Sequence, residues 1–269
     1  MERNPEIASV VLAAGRGSRM KEFKGNKTLL PLVSEGSPYE GRHIILLEII
    51  DNLPAGPKAV VVNHKKDDIK KVTSGLDLTY CEQPELNGTG GGLLAARSFL
   101  ENQVCDQVII TMGDVPLVNS STYEALVRLL KSNSLVVLGF RSESKKQYGI
   151  LETEGPLVRR IVEWKYWSKY PEEEKQRLHI CNSGIYAARR NDLLKYLLVL
   201  GSRPHKVSKE IEGRRREVAE YFITDIVEYM YDDNLPVGYV LAQDEEEVIG
   251  VDDLAALEKV QKAYCKIDG

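Results

Sequence analysis

The sequence predicts an α/β protein with a doubly wound, mostly parallel, Rossmann-like sheet. Short apolar runs alternate with helix-like patterns through the first half of the chain. These runs are rich in valine and isoleucine and are continuous, with no alternation of apolar and polar residues. Continuous runs of this kind are typical of parallel strands that are buried on both faces and covered by helices.

The elements of the first half follow from these two patterns. The strands are predicted at residues 7–12, 59–62, 78–81, 108–110 and 135–138, and the helices at residues 38–50, 67–74, 91–100 and 121–131. In the helix at residues 91–100, apolar side chains recur at the spacing of one helix face. They are Leu93, Leu94, Ala96 and Leu100.

The pattern changes after Phe140, where polar connections separate the strands. Strands are predicted at residues 150–151, 158–162, 185–187 and 237–241, and helices at residues 191–200 and 223–231. A final helix runs to about Tyr264, and either Asp252 or Asp253 is placed to cap its start. Residues 201–217 are polar and highly charged, which favours a solvated loop; the alternative is a flap or a partner contact.

The composition excludes several classes of protein. The chain has 269 residues with 36 basic and 40 acidic side chains, so its net charge of −4 does not support nucleic-acid binding. No apolar run reaches the length of a membrane span, and residues 7–14 are too short for a signal peptide. The four cysteines show neither a C-x-x-C pair nor zinc-site spacing, as expected in a reducing compartment. We therefore expect a cytoplasmic protein without nucleic-acid or membrane partners, as a monomer or a homo-oligomer.

A glycine-rich segment follows the first predicted strand. Residues 12–20 read Leu-Ala-Ala-Gly-Arg-Gly-Ser-Arg-Met. The dinucleotide fingerprint fails at Met20, and the P-loop motif fails because Lys21 and Asn26 occupy its glycine positions. Glycines let a backbone approach a ligand, and free N–H groups can hold phosphate oxygens. The segment also has a basic excess, at Arg16, Arg19, Lys21, Lys24 and Lys27, so it predicts phosphate binding.

The segment at residues 12–20 resembles the signature Leu-Ala-Ala-Gly-x-Gly-(Ser/Thr)-Arg-Met of sugar-phosphate nucleotidyltransferases. The similarity is greatest to the uridyltransferase domains of N-acetylglucosamine-1-phosphate uridyltransferases, and it extends from about Ile7 to Tyr264. It implies a fold of the nucleotide-diphospho-sugar transferase type in one domain over residues 1–269. The expected parts are a nucleotide-binding half at about 1–140, a sugar-binding half at about 141–252 and a C-terminal helix at 253–269.

The resemblance also implies roles for individual residues at the nucleotide end. Arg19 and Lys27 match the catalytic cations, although the family's Pro-Lys pair is Asn26-Lys27 here and one residue is inserted; Lys24 is therefore the alternative phosphate lysine. Three consecutive glycines at residues 90–92 suit a backbone wall beside a flat ring. The nucleotide-binding residues implied by the family are Leu12, Ala13, Ala14, Gly15, Gln83, Gly88, Thr89 and Gly113.

The sugar and metal residues rest on the same resemblance. The sugar-binding residues it implies are Gly149, Glu163 and Asn182, and the Mg²⁺ ligands are Asp114 and Asp252. Asp114 follows a buried strand and so faces the crevice where α/β folds bind ligands, with a turn or cap role as the alternative. Asp252 is a hard-oxygen ligand where the family often has asparagine, or else a helix cap. The aromatic residues around Glu163 either line a sugar pocket or pack a loop; they are Trp164, Tyr166, Trp167 and Tyr170.

The implied reaction is transfer of a nucleotide, with Mg²⁺, from an NTP, most simply UTP, to a sugar 1-phosphate such as N-acetylglucosamine 1-phosphate. It gives an NDP-sugar and pyrophosphate. The alternatives are the same fold with another NTP or acceptor, and a catalytically silent nucleotide-binding regulatory subunit. No hexapeptide repeats follow Gly269, so the sequence predicts no acetyltransferase activity.

Overall fold

The computed structural model describes residues 7–17, 19–20, 23–145, 147–211 and 214–267. Its strands are β1 (Ala8–Leu12), β2 (Pro31–Glu35), β3 (Ser37–Ile44), β4 (Lys58–Val62), β5 (Leu78–Glu82), β6 (Gln107–Met112), β7 (Leu135–Phe140), β8 (Ile150–Glu154), β9 (Leu157–Val162), β10 (Cys181–Arg189), β11 (His205–Ile211), β12 (Arg214–Glu220) and β13 (Val237–Leu241). Its helices are α1 (Ile45–Asn52), α2 (Lys66–Val72), α3 (Thr89–Ala95), α4 (Arg97–Glu101), α5 (Ser120–Leu129), α6 (Trp164–Trp167), α7 (Glu172–Arg177), α8 (Arg190–Ser202), α9 (Thr224–Asp232) and α10 (Leu254–Ile267).

Within the described residues, the central sheet has nine strands. Its main path runs β13-β7-β10-β6-β1-β4-β5, and β8 and β9 are attached beside β10. The pairs β6-β1, β1-β4, β4-β5 and β13-β7 are parallel, whereas β10 is antiparallel to β6 and β7. Leu12 at the end of β1 lies level with Met112 and Val61. The chain therefore leaves β1, β4 and β6 at one edge of the sheet, which opens the crevice described below.

The core lies on both faces of this sheet. Val11 of β1 belongs to one apolar cluster, and Ala8 and Val10 belong to the other. All three side chains are fully buried. Burial of a valine-sized side chain contributes about 1.5–3 kcal/mol. The continuous apolar runs of the sequence thus form strands because each successive side chain reaches a core.

The prediction of a helix at residues 38–50 is wrong over its first half. Residues of β3 pair with β2 in an antiparallel hairpin, and α1 begins only at Ile45. The buried positions of α1 are Ile45, Leu46, Ile49 and Ile50, so the helical spacing is confined to that part. A Cβ at Gly41 would lie 2.0 Å from the Val33 carbonyl oxygen, a contact that only glycine permits in this hairpin.

The interpretation of residues 201–217 as a solvated loop is also wrong. Most of this segment forms a two-stranded antiparallel ribbon of β11 and β12, in register from the pair His205–Glu220 to the pair Ile211–Arg214. Lys206 and Glu217 form an exposed cross-strand ion pair of 3.2 Å. The side chains that the structure describes in this ribbon are exposed or half-buried, so the sequence lacks the apolar pattern of a core strand there. The single helix predicted at residues 91–100 is divided in the structure. It forms two short helices, α3 and α4, which meet at Ala96.

The last helix is fixed to the β2–β3 hairpin by a buried side chain. Gln261 is 7% exposed, and its Nε2 donates to the carbonyl oxygens of Pro31 at 2.8 Å and Pro38 at 2.9 Å. Asp253 caps the start of α10 by accepting a hydrogen bond from the Ala256 amide at 2.9 Å. The cap is therefore Asp253, and Asp252 is available to the crevice. Among the described residues, no helix combines the length and the apolar character that a membrane span requires.

We expect Gln261→Leu to lower the free energy of unfolding by about 1–3 kcal/mol, because two backbone acceptors would lose their donor in a buried position. Urea denaturation measures this loss. Lys262→Ala, at the exposed neighbouring position, is the control and should change stability by less than about 0.5 kcal/mol. Equal stability of the two variants would show that Gln261 does not anchor α10.

Candidate functional site

Two turns meet at the crevice edge of the sheet. The Gly113 amide, after β6, donates to the Leu12 carbonyl at 2.9 Å, and the Ala13 amide donates to the Val61 carbonyl at 2.9 Å. A Cβ at Gly113 would lie 2.9 Å from the Cβ of Ala13. The absence of a side chain at Gly113 therefore lets the turn after β6 lie directly on the glycine-rich turn after β1.

A cavity of about 310 Å³ opens above these turns. Its lining residues are Leu12, Ala14, Gly15, Gln83, Leu86, Gly88, Thr89, Gly92, Met112 and Glu220. Six of the eight predicted nucleotide-binding residues are in this lining, and the other two, Ala13 and Gly113, pack beside it. Sequence reasoning missed Glu220, which comes from the end of β12, far along the chain and in a segment interpreted as a loop or its flank.

The wall formed by residues 83–92 is held in place from two sides. The Gln83 side chain is 5% exposed, and its Nε2 donates to the Asn87 Oδ1 at 3.0 Å and the Gly88 carbonyl at 3.2 Å. The Tyr221 amide donates to the Asn87 carbonyl, and the Tyr221 carbonyl accepts from the Gly90 amide, each at 2.8 Å. Gly88 has φ +94°, and a Cβ there would lie 2.3 Å from the Tyr221 oxygen. These contacts bring Glu220, the residue before Tyr221, to the cavity.

Four charged side chains converge beside this cavity. The Lys27 ammonium donates to a carboxylate oxygen of Asp114 and to the Asp252 Oδ1, the latter at 3.0 Å. The Arg19 Nη1 lies 3.2 Å from the Asp252 Oδ2. The Val251 amide donates to the Asp114 carbonyl at 2.8 Å, which joins the turn after β6 to the segment before α10. All four residues predicted to act as cations or metal ligands thus lie in one cluster, which we call the charged cluster.

Lys27, and not Lys24, is the lysine of this cluster. The Lys27 side chain is 12% exposed, whereas Lys24 is exposed. Burial by itself lowers the pKa of the Lys27 ammonium, but the Asp114 and Asp252 carboxylates outweigh it, and the pKa is raised above its ordinary value. Lys27 therefore stays charged. Lys21, a member of the basic excess in the sequence, lies outside the described residues.

A second cavity, of about 180 Å³, shares Thr89 and Met112 with the first. Its other lining residues are Glu163, Asn182, Ser183, Gly184, Tyr186, Ile223 and Thr224. The register shift in β10 between Asn182 and Tyr186 falls among the lining residues that this strand supplies. Two of the three predicted sugar-binding residues, Glu163 and Asn182, line this second cavity. Gly149 lies behind them, since its carbonyl accepts from the Asn182 amide at 2.8 Å and a Cβ there would be 3.7 Å from both Glu163 carboxylate oxygens.

Glu163 is a half-buried carboxylate with an altered proton affinity. Burial raises the pKa of its carboxyl, and the hydrogen bond of 3.2 Å from the Thr224 hydroxyl offsets part of that effect. Of the aromatic residues around Glu163, Trp167 packs a loop, since its Nε1 donates to the Tyr148 carbonyl at 2.8 Å. Tyr166 and Tyr170 line a third cavity, of about 460 Å³, that also borders Glu163, and none of the four aromatic residues lines the second cavity.

The charged cluster has the donor set of a divalent cation site. Among the described residues, no three histidine, cysteine or acidic side chains are grouped as a metal centre. However, Asp114 and Asp252 each accept a hydrogen bond from the Lys27 ammonium. The two carboxylates therefore already bind one positive charge between them. Mg²⁺ is usually bound by one or two carboxylates together with water and substrate phosphates. The two aspartates fit this mode of binding.

Residues 9–204 match the sequence profile of the MobA-like NTP transferase domain. The chain belongs to this family. It is 31% identical to the bifunctional protein GlmU of Sphingopyxis alaskensis, over 97% of this chain and 54% of that protein. It is 30% identical to the bifunctional protein GlmU of Francisella tularensis subsp. novicida, over 94% of this chain and 51% of that protein. The chain thus spans about half the length of the curated relatives it matches.

The fold is shared with the solved structure of a Bacillus anthracis protein. That protein is described as a "Putative Glucose-1-Phosphate Thymidylyltransferase" in complex with a sucrose. The TM-score is 0.69 at 16% identity, with 96% of this chain and 94% of that chain covered. The α/β fold of the nucleotide-diphospho-sugar transferase type predicted from the sequence is therefore confirmed. The predicted relationship to nucleotidyltransferases is confirmed as well.

We expect Glu163→Gln to raise the melting temperature at neutral pH. A raised pKa means that the folded protein holds the Glu163 proton more tightly than the unfolded chain, so ionisation above the unfolded value of about 4.3 destabilises the fold. The stability difference between the variant and the wild type should shrink as the pH falls towards that value. Melting curves across this pH range measure it, with the exposed Glu173→Gln as control. A variant less stable than wild type at neutral pH would contradict the prediction.

Proposed function

We propose that the chain is a uridylyltransferase-like sugar-1-phosphate nucleotidyltransferase. Its substrates are UTP and N-acetylglucosamine 1-phosphate, and its products are UDP-N-acetylglucosamine and pyrophosphate. The observation that carries the proposal is the position of the charged cluster. Asp114 comes two residues after Met112, and Met112 lines both of the smaller cavities. A nucleotide in one cavity and a sugar in the other would therefore place their phosphates beside Arg19 and Lys27.

The reaction needs no nucleophile from the protein. An ionised oxygen of the sugar phosphate attacks the α-phosphorus of UTP, a new P–O bond forms, and the bond to the bridging oxygen breaks as pyrophosphate leaves. Two unit charges 4 Å apart repel by about 4 kcal/mol at an effective dielectric near 20. Positioning and charge stabilisation are thus the chemistry that the protein supplies. Arg19 and Lys27 supply the positive charge, on the leaving pyrophosphate and the α-phosphate.

Asp114 and Asp252 would hold Mg²⁺ in this proposal. When bound, the ion would supply positive charge to phosphate oxygens of both substrates. Lys27 donates to the two aspartates in the structure, and substrate phosphates give its ammonium a stronger anionic partner. In the structure, the two aspartates raise the pKa of that ammonium above its ordinary value, which favours its charged form.

The two cavities supply recognition. The backbone of residues 12–15 lies against the nucleotide, and Gln83, Gly88 and Thr89 contact the uracil base, for which the Gln83 amide offers hydrogen-bonding groups. In the second cavity, Glu163 accepts hydrogen bonds from sugar hydroxyls and Asn182 offers its amide, while Gly149 supports both residues from behind. We also propose that the enzyme is cytoplasmic.

A panel of NTPs against sugar 1-phosphates, with Mg²⁺, tests the proposal through release of pyrophosphate. We expect the highest kcat/KM with UTP and N-acetylglucosamine 1-phosphate, because Gln83 and the Glu163–Asn182 pair fit these groups. Higher activity with another NTP or acceptor would support the nucleotidyltransferase reaction but contradict the proposed substrates. Nucleotide binding without turnover for every pair would identify a silent binding subunit and reject the proposal.

We expect Lys27→Ala and Asp114→Ala each to lower kcat at least about 100-fold while the protein remains folded, as for loss of a group that stabilises transition-state charge. Lys24→Ala is the matched control for the lysine and should keep wild-type turnover. Asp252→Ala, which removes the ligand oxygen, should be impaired, whereas Asp253→Asn at the neighbouring position should not, since asparagine also caps helices. Wild-type turnover in the Lys27, Asp114 or Asp252 variant would remove that residue from the mechanism.

A further inference from the structure

The carboxyl end of β4 contacts both ends of the nucleotide site through two consecutive residues. The His64 carbonyl accepts a hydrogen bond of 2.8 Å from the Asn26 Nδ2. The Asn63 Nδ2 donates to the Gln83 carbonyl at 2.6 Å. Asn26 directly precedes Lys27, and Gln83 is the residue proposed to contact the base. One turn therefore ties the phosphate lysine and the base-contacting glutamine to the same rigid strand.

Asn26 is buried and holds the local structure that presents Lys27. It is 1% exposed, and its Oδ1 accepts from the Thr28 amide at 3.0 Å and the Thr28 hydroxyl at 2.9 Å. These bonds cap the single 3₁₀ turn Lys27–Leu29, of which Lys27 is the first residue. Because the Nδ2 of Asn26 is bonded to His64, the side chain both shapes the turn and fixes it to β4.

Asn63 acts at the other end in a similar way. Its bond to the Gln83 carbonyl adds to the backbone bond of 2.9 Å from the Gln83 amide to the Val62 carbonyl. Gln83 is thus held on both sides of its Cα, and its side chain is fixed separately by Asn87 and Gly88. Asn63 is not among the residues that line the first cavity, so it touches Gln83 from outside the nucleotide pocket.

We infer that Asn26 and Asn63 are the positioning residues of this enzyme, Asn26 for the Lys27 ammonium and Asn63 for the Gln83 amide. The inference rests on the proposed function, because it assigns the two asparagines to the phosphate and base ends of the same NTP. A catalytic group displaced by about 1 Å can lose about 100-fold in rate. The two residues therefore affect different steps: Asn26 the transfer of the nucleotide, and Asn63 the choice of base.

Asn26→Ala tests the phosphate end. We expect kcat to fall by about 10- to 100-fold while the KM for UTP changes less than about 3-fold, since the base contacts remain. Asn26→Ser retains an acceptor for the Thr28 amide but cannot reach His64, so its kcat should lie between those of wild type and Asn26→Ala.

Asn133→Ala is the matched control for lost stability. Asn133 is 6% exposed and its Nδ2 donates to the Leu129 carbonyl at 3.0 Å, but it precedes β7, at the edge of the sheet away from the crevice. This variant should also melt at a lower temperature, yet keep the wild-type kcat. The inference for Asn26 is overturned if Asn26→Ala and Asn133→Ala have the same kcat.

Asn63→Ala tests the base end. The ratio of kcat/KM for UTP to that for CTP should fall by about 10-fold, with kcat for UTP within about 3-fold of wild type. An unchanged ratio would overturn the role of Asn63.

The wild-type enzyme separates this inference from the proposed function. If it releases no pyrophosphate with any NTP, the proposed function fails. Calorimetric binding of pyrophosphate then still decides the role of Asn26: Asn26→Ala should bind it about 10-fold more weakly than Asn133→Ala, whereas equal affinities would overturn the inference.

Discussion

The contact of the Lys27 ammonium with two carboxylates is the interaction on which the whole site depends. Its partners lie 87 and 225 positions along the chain, so the contact forms only when the turn after β1, the turn after β6 and the segment before α10 have all reached the same edge of the sheet. Burial by itself lowers the pKa of the Lys27 ammonium, and the two aspartates more than offset that effect. The positive charge of Lys27 is thus held in place by the fold itself.

The sequence was most informative where a residue pattern has one physical cause. The continuous apolar run of β1 is buried on both faces, as its residues predicted. Residues 237–241 form β13 with the predicted bounds. In both cases the residue types within the segment were enough to predict a strand. The glycine-rich turn after β1 was equally clear, since glycines and basic residues together serve few structural purposes. The family resemblance supplied Glu163 and Asn182, which spacing alone did not distinguish from solvated polar residues.

The errors have a common physical origin. β3 and the β11–β12 ribbon are held by backbone pairing, and none of their described side chains is fully buried, so the apolar pattern that marks the core strands is missing from them. Glu220 reaches the nucleotide cavity only because Tyr221 pairs with the wall at Asn87 and Gly90, a contact between distant backbones. The choice between Asp252 and Asp253 as helix cap, and between Lys24 and Lys27 in the cluster, likewise depended on orientation, which adjacent or nearby positions in a sequence do not reveal.

The anchoring of α10 by Gln261 has a consequence for how the protein becomes active during its synthesis. β1, β4, β5 and β6 all come early in the chain, so they can pair before Asp252 leaves the ribosome. Asp252 directly precedes Asp253, the cap of α10, and Gln261 of that helix is bonded to the β2–β3 hairpin. During synthesis this edge of the sheet therefore forms with one carboxylate of the charged cluster, and the second carboxylate is supplied by a segment made much later.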